Sequence, residues 1–238
     1  LISFKKFCAF GKIGKYVSAH YVESAIREGE QVVPIGGFVD QADGVTDLSL
    51  PTTLEGLQIL FHLDRLMKRD GVLAEFEQEY PLAFPRILDQ VEARWMPARR
   101  VVTEKRRWLK KSTETVIESG GFAQSSRNTW PDLWGTYTAL ELVTLATVHR
   151  HKTQPADTKE RFLKIRARTP LIFQFMKDVE SQPNGGYGFV AESPPNVLSN
   201  LHAMKIVDIL AFFDRASNDP NNPLPRGEFV NRFGFEPQ

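Results

Sequence analysis

The sequence predicts an all-α protein built as a stack of helix pairs. Three observations carry that expectation: a Gly-Gly-aromatic block that occurs three times, an apolar-periodic stretch after each block, and an amphipathic, charge-rich segment before each one. Self-similarity at matching offsets is the signature of a repeat architecture, in which each unit buries its apolar face only against its neighbours.

The blocks are Gly36-Gly37-Phe38, Gly120-Gly121-Phe122 and Gly185-Gly186-Tyr187. Paired glycines allow a sharp turn and a close approach of backbones, because neither residue carries a Cβ. A polar loop with Pro51, Pro131 or Pro194-Pro195 follows, then TTLEGLQILFHL from Thr52, GTYTALELVTLA from Gly135 or SNLHAMKIVDIL from Ser199. Thr53, Thr136 and Asn200 hold equivalent places near these helix starts, where short polar side chains satisfy free N–H groups. These are the inner helices. The outer helices are expected at 13–27, stopped by Gly29, at 101–117, and at 158–179, interrupted by Pro170.

The helical repeat domain is expected over 1–217, with units starting near 36, 120 and 185. The glycine pairs stand 84 and then 65 residues apart, which places an insertion at 71–98, cut into short helices by Pro81, Pro85 and Pro97. Residues 218–238 form a loop-rich C-terminal extension, and Phe229, Phe233 and Phe235 are expected to dock it on the domain.

Composition limits the functional classes. The chain has 238 residues, 42% hydrophobic and 25% charged, and a net charge of +1, so no global field selects nucleic acid or membrane. A single cysteine, Cys8, excludes an intramolecular disulfide and fits a reducing compartment. No apolar run approaches the roughly 18 residues of a membrane helix. A start at Leu1 reads as a processed form or a fragment. The processed reading points to an intracellular, mitochondrial component of a complex, with the cytoplasm as the alternative.

The block GGFAQSSRNTWPDLWGTYTALELVTLA from Gly120, and GGYGFVAESPPNVLSNLHAMKIVDIL from Gly185, resemble the repeat of the protein prenyltransferase β subunits. Squalene and terpenoid cyclases share that architecture. The resemblance covers roughly residues 13–215 and implies an α/α toroid, here partial or open because three helix pairs are found where those enzymes close with five to seven. It also locates their zinc site: an Asp and a Cys two residues apart, and a His from a later repeat. Here Asp132 is present, Trp134 stands in the cysteine position and Ser199 in that of the histidine, with His202 about one turn on. The Asp-x-Asp-Asp acid of the cyclases is missing. The resemblance therefore implies a toroid without its catalytic residues; Asp132 and His202 are the weak candidates, and zinc enters only if they act.

Other patterns point elsewhere. His149-Arg150-His151-Lys152 suits a helix C-terminus, and Asp214 to Asn222 suits a turn better than a calcium loop. No P-loop, dinucleotide fingerprint or Gly-x-Ser-x-Gly elbow occurs. The stretch 99–111 is the densest charge cluster: Arg99, Arg100, Lys105, Arg106, Arg107, Lys110 and Lys111, with Trp108 among them and Glu104 the lone acid. Expected as a helix, it is a basic girdle that is either a solvated face or a docking surface for an acidic partner, an anionic head group or RNA.

The function expected is thus a non-catalytic structural or scaffold subunit that binds other proteins in a larger complex without a cofactor. An isoprenoid transferase-like enzyme and an RNA-binding module using 99–111 are the alternatives.

Overall fold

The computed structural model describes residues 4–28, 30–40, 48–67, 71–106, 111–150, 155–181 and 185–218. Over these residues the chain is mixed α/β. The helices are α1 (Phe4–Ser18), α2 (Leu50–Met67), α3 (Val72–Glu79), α4 (Ala83–Glu92), α5 (Leu133–Arg150), α6 (Pro155–Asp178) and α7 (Val197–Asn218). The strands are β1 (Tyr21–Glu28), β2 (Gln31–Phe38), β3 (Trp95–Arg106) and β4 (Lys111–Phe122). They form two separate antiparallel ribbons, β1 with β2 and β3 with β4.

The strands overturn the all-α toroid. Two of the three expected outer helices, 13–27 and 101–117, are replaced in whole or in part by hairpins. α1 stops at Ser18 and the chain turns into β1; the whole of 101–117 lies in or between β3 and β4. Residues such as Val32, Val33, Val101, Val102, Val116 and Ile117 fit a pleated surface better than a helix. The registers run from Tyr21↔Phe38 to Glu28↔Gln31, and from Trp95↔Phe122 to Arg106↔Lys111. Gly29, expected to stop a helix, lies outside the described residues between β1 and β2.

α2, α5 and α7 fall on the three apolar stretches, α6 overlaps 158–178 of the expected helix with Pro170 inside it, and 71–98 holds α3, α4 and the start of β3. Residues 219–238 of the expected C-terminal extension lie outside the described residues. The unequal spacing of the glycine pairs resides largely in the hairpins. Thr53 to Trp95 is 42 residues and Thr136 to Glu180 is 44, so α3 with α4 takes the length that the 155–178 helix takes in the next unit. By contrast, Tyr21 to Phe38, Trp95 to Phe122 and Glu180 to Tyr187 span 17, 27 and 7 residues. The third hairpin is reduced to the single bridge Glu180↔Tyr187.

Packing follows the units. α2 packs on α5 and α5 on α7, making a row of inner helices. Outside them, α1 covers α2, α4 covers α5, and α6 covers α5 and α7. The root of each ribbon rests on the next unit's outer helix, β2 on α4 and β4 on α6. α5, in the middle of the row, is buried on nearly every side from Leu133 to Val148, as expected of a helix apolar all round. Its buried Thr138 and Thr144 hydroxyls donate to the carbonyls of Trp134 and Leu140, 2.7 Å away in each case, so the core carries no unpaired hydroxyl there.

Candidate functional site

The Gly-Gly-aromatic blocks are joints between a hairpin and its inner helix. The aromatic residue's backbone N–H donates to the side chain that sequence equivalence singles out: Phe38 to Thr53 Oγ1 (3.3 Å), Phe122 to Thr136 Oγ1 (3.0 Å) and Tyr187 to Asn200 Oδ1 (3.1 Å). Four residues before each partner stands a cap: Ser49 Oγ accepts the Thr52 N–H, Asp132 Oδ1 the Gly135 N–H, and Asn196 Oδ1 the Ser199 N–H.

The second glycine of each block is dictated by this contact. A Cβ on Gly121 would stand 2.7 Å from Thr136 Oγ1, and one on Gly186 3.3 Å from Asn200 Oδ1; on Gly37 it would meet Thr53 Oγ1. The first glycine lies under an aromatic ring from the opposite strand, Tyr21 over Gly36 and Trp95 over Gly120. Only in the third block do the glycines also hold positive φ, +71° at Gly185 and +85° at Gly186. The blocks thus serve folding, not chemistry.

The 187–189 segment is tied to the start of α5 by the Leu133 N–H donating to the Phe189 carbonyl (2.9 Å), one residue on from Asp132, and its Phe189 ring lies 5.8 Å from that of His202. Asp132 is buried at the start of α5. Its Oδ1 accepts from Gly135 and from Gln124 Nε2 (2.9 Å), while Oδ2 has no hydrogen-bond partner. Burial pushes this carboxyl above the usual carboxylate range, against the lowering effect of those donors. His202 is stacked on Tyr137 (4.9 Å between centroids, 16° between planes), with Phe189 at 5.8 Å and Trp134 at 6.2 Å. Its Nδ1 has no partner, and burial, then the Lys205 charge, hold the imidazole below its ordinary value. Lys205 itself lies over the Tyr137 ring and donates to its hydroxyl (3.2 Å).

Ser199, which the sequence resemblance set in place of a zinc-ligand histidine, is fully buried; its hydroxyl donates to the Tyr187 carbonyl and accepts the Asn196 N–H. It closes the joint. The structure therefore gathers Trp134, Tyr137, Phe189 and His202 into an aromatic cluster. Sequence reasoning missed Tyr137 and Phe189; the signal for Tyr137 was its place one turn beyond Trp134. Among the described residues, no three His, Cys, Asp or Glu side chains come together as metal ligands.

The basic residues at 99–111 are on a ribbon and not on a helix. Alternation sets Arg99 and Arg100 on opposite faces of the ribbon. Arg99 lies opposite Glu118, and Arg100 Nη2 donates to Asp178 Oδ1 of α6 (3.0 Å). Lys105 stands opposite Ser112 and Arg106 opposite Lys111, while Arg107, Trp108 and Lys110 lie outside the described residues.

At the root, Trp95 packs edge-on against Phe122 (5.0 Å) and under the Arg168 guanidinium (4.6 Å), which also grips Glu92 with two bonds of 3.2 and 2.8 Å. Ser119 to Phe122 are buried, whereas Pro97 to Val101 and Glu114 to Val116 are exposed. The ribbon is anchored at its root and exposed at 97–101 and 114–116.

No helix among the described residues is long and apolar enough to cross a membrane. No protein family, curated protein or solved structure matches this chain. The likeness to prenyltransferase β subunits thus remains a resemblance of sequence blocks, from Gly120 and from Gly185.

Proposed function

We propose that this chain is a non-catalytic subunit that binds other proteins of a larger assembly, with the far end of the β3–β4 ribbon set against an acidic surface. The ribbon carries the reading. Two strands of twelve residues, both with free edges, are marginal in water unless something backs them. α6 backs the root, and the exposed stretches 97–101 and 114–116 are left for a partner.

Charge supports the same choice of partner. From Trp95 to Phe122 the sequence holds seven cations and three acids, on a chain whose net charge is +1. Arg99 and Arg100 face acids of this chain, which leaves the excess at the far end. The backbone register pairs Arg106 with Lys111, and an excess of cations in this part of the sequence suits an acidic partner surface.

The test is native purification of the tagged chain, followed by reversal of Lys105, Arg106 and Lys111 to Glu. The expected result is a stoichiometric protein partner, released by moderate salt and lost on reversal, with the thermal unfolding temperature unchanged. A free monomer would overturn the reading. Co-purification abolished by ribonuclease would hand the site to RNA. Stoichiometric zinc, lost on Asp132→Ala, would restore the transferase-like alternative.

A further inference from the structure

The two edges of the β1–β2 ribbon are finished differently. At its root the Phe38 N–H turns away from β1 to Thr53 Oγ1, and the Val39 N–H donates across to the His20 carbonyl (3.0 Å). Hydrogen-bonded pairs alternate along an antiparallel ladder. From Tyr21↔Phe38 onward, that alternation turns the N–H and C=O groups of Glu23, Ala25 and Arg27 to the outer edge of β1. It turns those of Gly36, Pro34 and Val32 to the outer edge of β2. Pro34 has no N–H to offer another strand, and α4 and α2 pack on β2. β1 contains no proline, and its Glu23, Ala25 and Arg27 are exposed. Among the described residues its strand pairs only with β2.

We infer that a second copy of this chain pairs with that edge, β1 antiparallel to β1 about a twofold axis at Ala25. Ala25 then stands opposite its own copy, and Glu23 stands opposite Arg27 in both directions, as an isologous contact requires. The N–H and C=O groups of all three outward residues find partners in this register. Charge selects it. An axis at Glu23 or Arg27 would set like charges against each other, and an axis at Ser24 or Ile26 sets no arginine opposite a glutamate. Arg86 of α4 already holds the Glu23 carboxylate through Oε2, which fixes its place on this edge. Pairing joins two ribbons, each marginal alone, into one four-stranded sheet.

Sedimentation of the purified chain should give a dimer of twice 27.0 kDa at micromolar concentration. Ala25→Pro removes the N–H at the axis, which the β1–β2 ladder does not use, and should weaken dimerisation about tenfold or more. Cross-linking gives a second readout that does not depend on that variant folding. In a Cys8→Ser background, oxidised Ala25→Cys should form a disulfide-linked dimer, because facing residues of a hydrogen-bonded pair have Cα atoms about 5.5 Å apart. Glu23→Cys alone and Arg27→Cys alone should not link, whereas a mixture of the two should. A monomer at every concentration would overturn the inference, as would a dimer indifferent to Ala25→Pro or linking that peaks at another position. None of these variants touches residues 95–122, so the acidic-partner reading stands or falls separately.

Discussion

The two ends of the inner helix row differ in how they meet solvent. At the first end, α2 is covered by α1 and α3, and its outward stripe mixes Glu55 and His62 with Ile59 and Leu66. At the last end, α7 turns out Val197, Leu201, Met204 and Val207, interleaved with the exposed Lys205 and Asp208. The same helix design is finished at one end and open at the other. An array of units needs a polar or covered terminus, because each unit's apolar face is made for a neighbour. The contrast separates positions that are apolar for this chain's core from those that are apolar for whatever lies beyond it.

The sharpest way to break that contrast is truncation at equivalent positions. Leu57→Ala and Leu140→Ala should each cost about 2–5 kcal/mol by urea unfolding, through lost burial and an unfilled cavity. Met204→Ala, in a chain ending at Asn218, should stay within about 0.5 kcal/mol. A large effect there would mean that the last face is already covered by described residues.

The joints should give the next largest effects. Thr53→Val and Thr136→Val leave the buried N–H groups of Phe38 and Phe122 without an acceptor, at a cost of about 1–3 kcal/mol each. Asn200→Ala should cost less, about 1 kcal/mol, because its joint to Tyr187 is only partly buried and water can replace it. Equal losses in all three would remove the distinction between closed and open units.

Titration gives a smaller signature, confined to the last two units. The His202 imidazole is held below its ordinary value, so the unfolded chain binds its proton more readily. Its contribution to stability is therefore complete above the ordinary histidine range and is lost as pH falls through that range toward the folded value. Asp132 has the opposite sense: its carboxyl is raised, so it favours the fold most at acid pH and progressively less as pH rises through its folded value. Unfolding followed from pH 4 to 8 should show His202→Gln flattening the slope near neutrality, with Asp132→Asn acting only on the acid side.

The smallest effect is expected at the ribbon's tether. Arg100→Ala removes a solvent-exposed contact to Asp178 and should change stability by about 0–1 kcal/mol. A larger loss would mean that the ribbon is part of the core.

Legibility in the sequence followed the physical origin of each element. α2, α5 and α7 were legible because their apolar residues recur at a period that only a helix satisfies, and because Thr53, Thr136 and Asn200 mark their starts. The ribbons were not. The 107–110 stretch, Arg-Trp-Leu-Lys, carries no Gly, Pro or Asn to announce a turn, and its charges also fit a helix. The run Thr-Glu-Thr-Val-Ile from Thr113, rich in β-branched residues, was the available signal for β4. At the candidate site, the basic cluster was visible as composition. That Arg99 stands opposite Glu118 and Arg100 reaches Asp178 depended on the strand register and on the packing of α6.

By itself, the sequence determined the existence of three equivalent units, their glycine joints and their inner helices. All of these rest on short-range sterics and local periodicity, which are written residue by residue. Tertiary structure alone decided that the outer segments of the first two units become hairpins, that the second glycine of each pair makes room for a particular hydroxyl or amide, and that, among the described residues, α7 keeps Val197 and Met204 exposed where its counterparts in α2 and α5 are buried. Those outcomes depend on which surfaces meet across the chain, and local propensity carries no record of them.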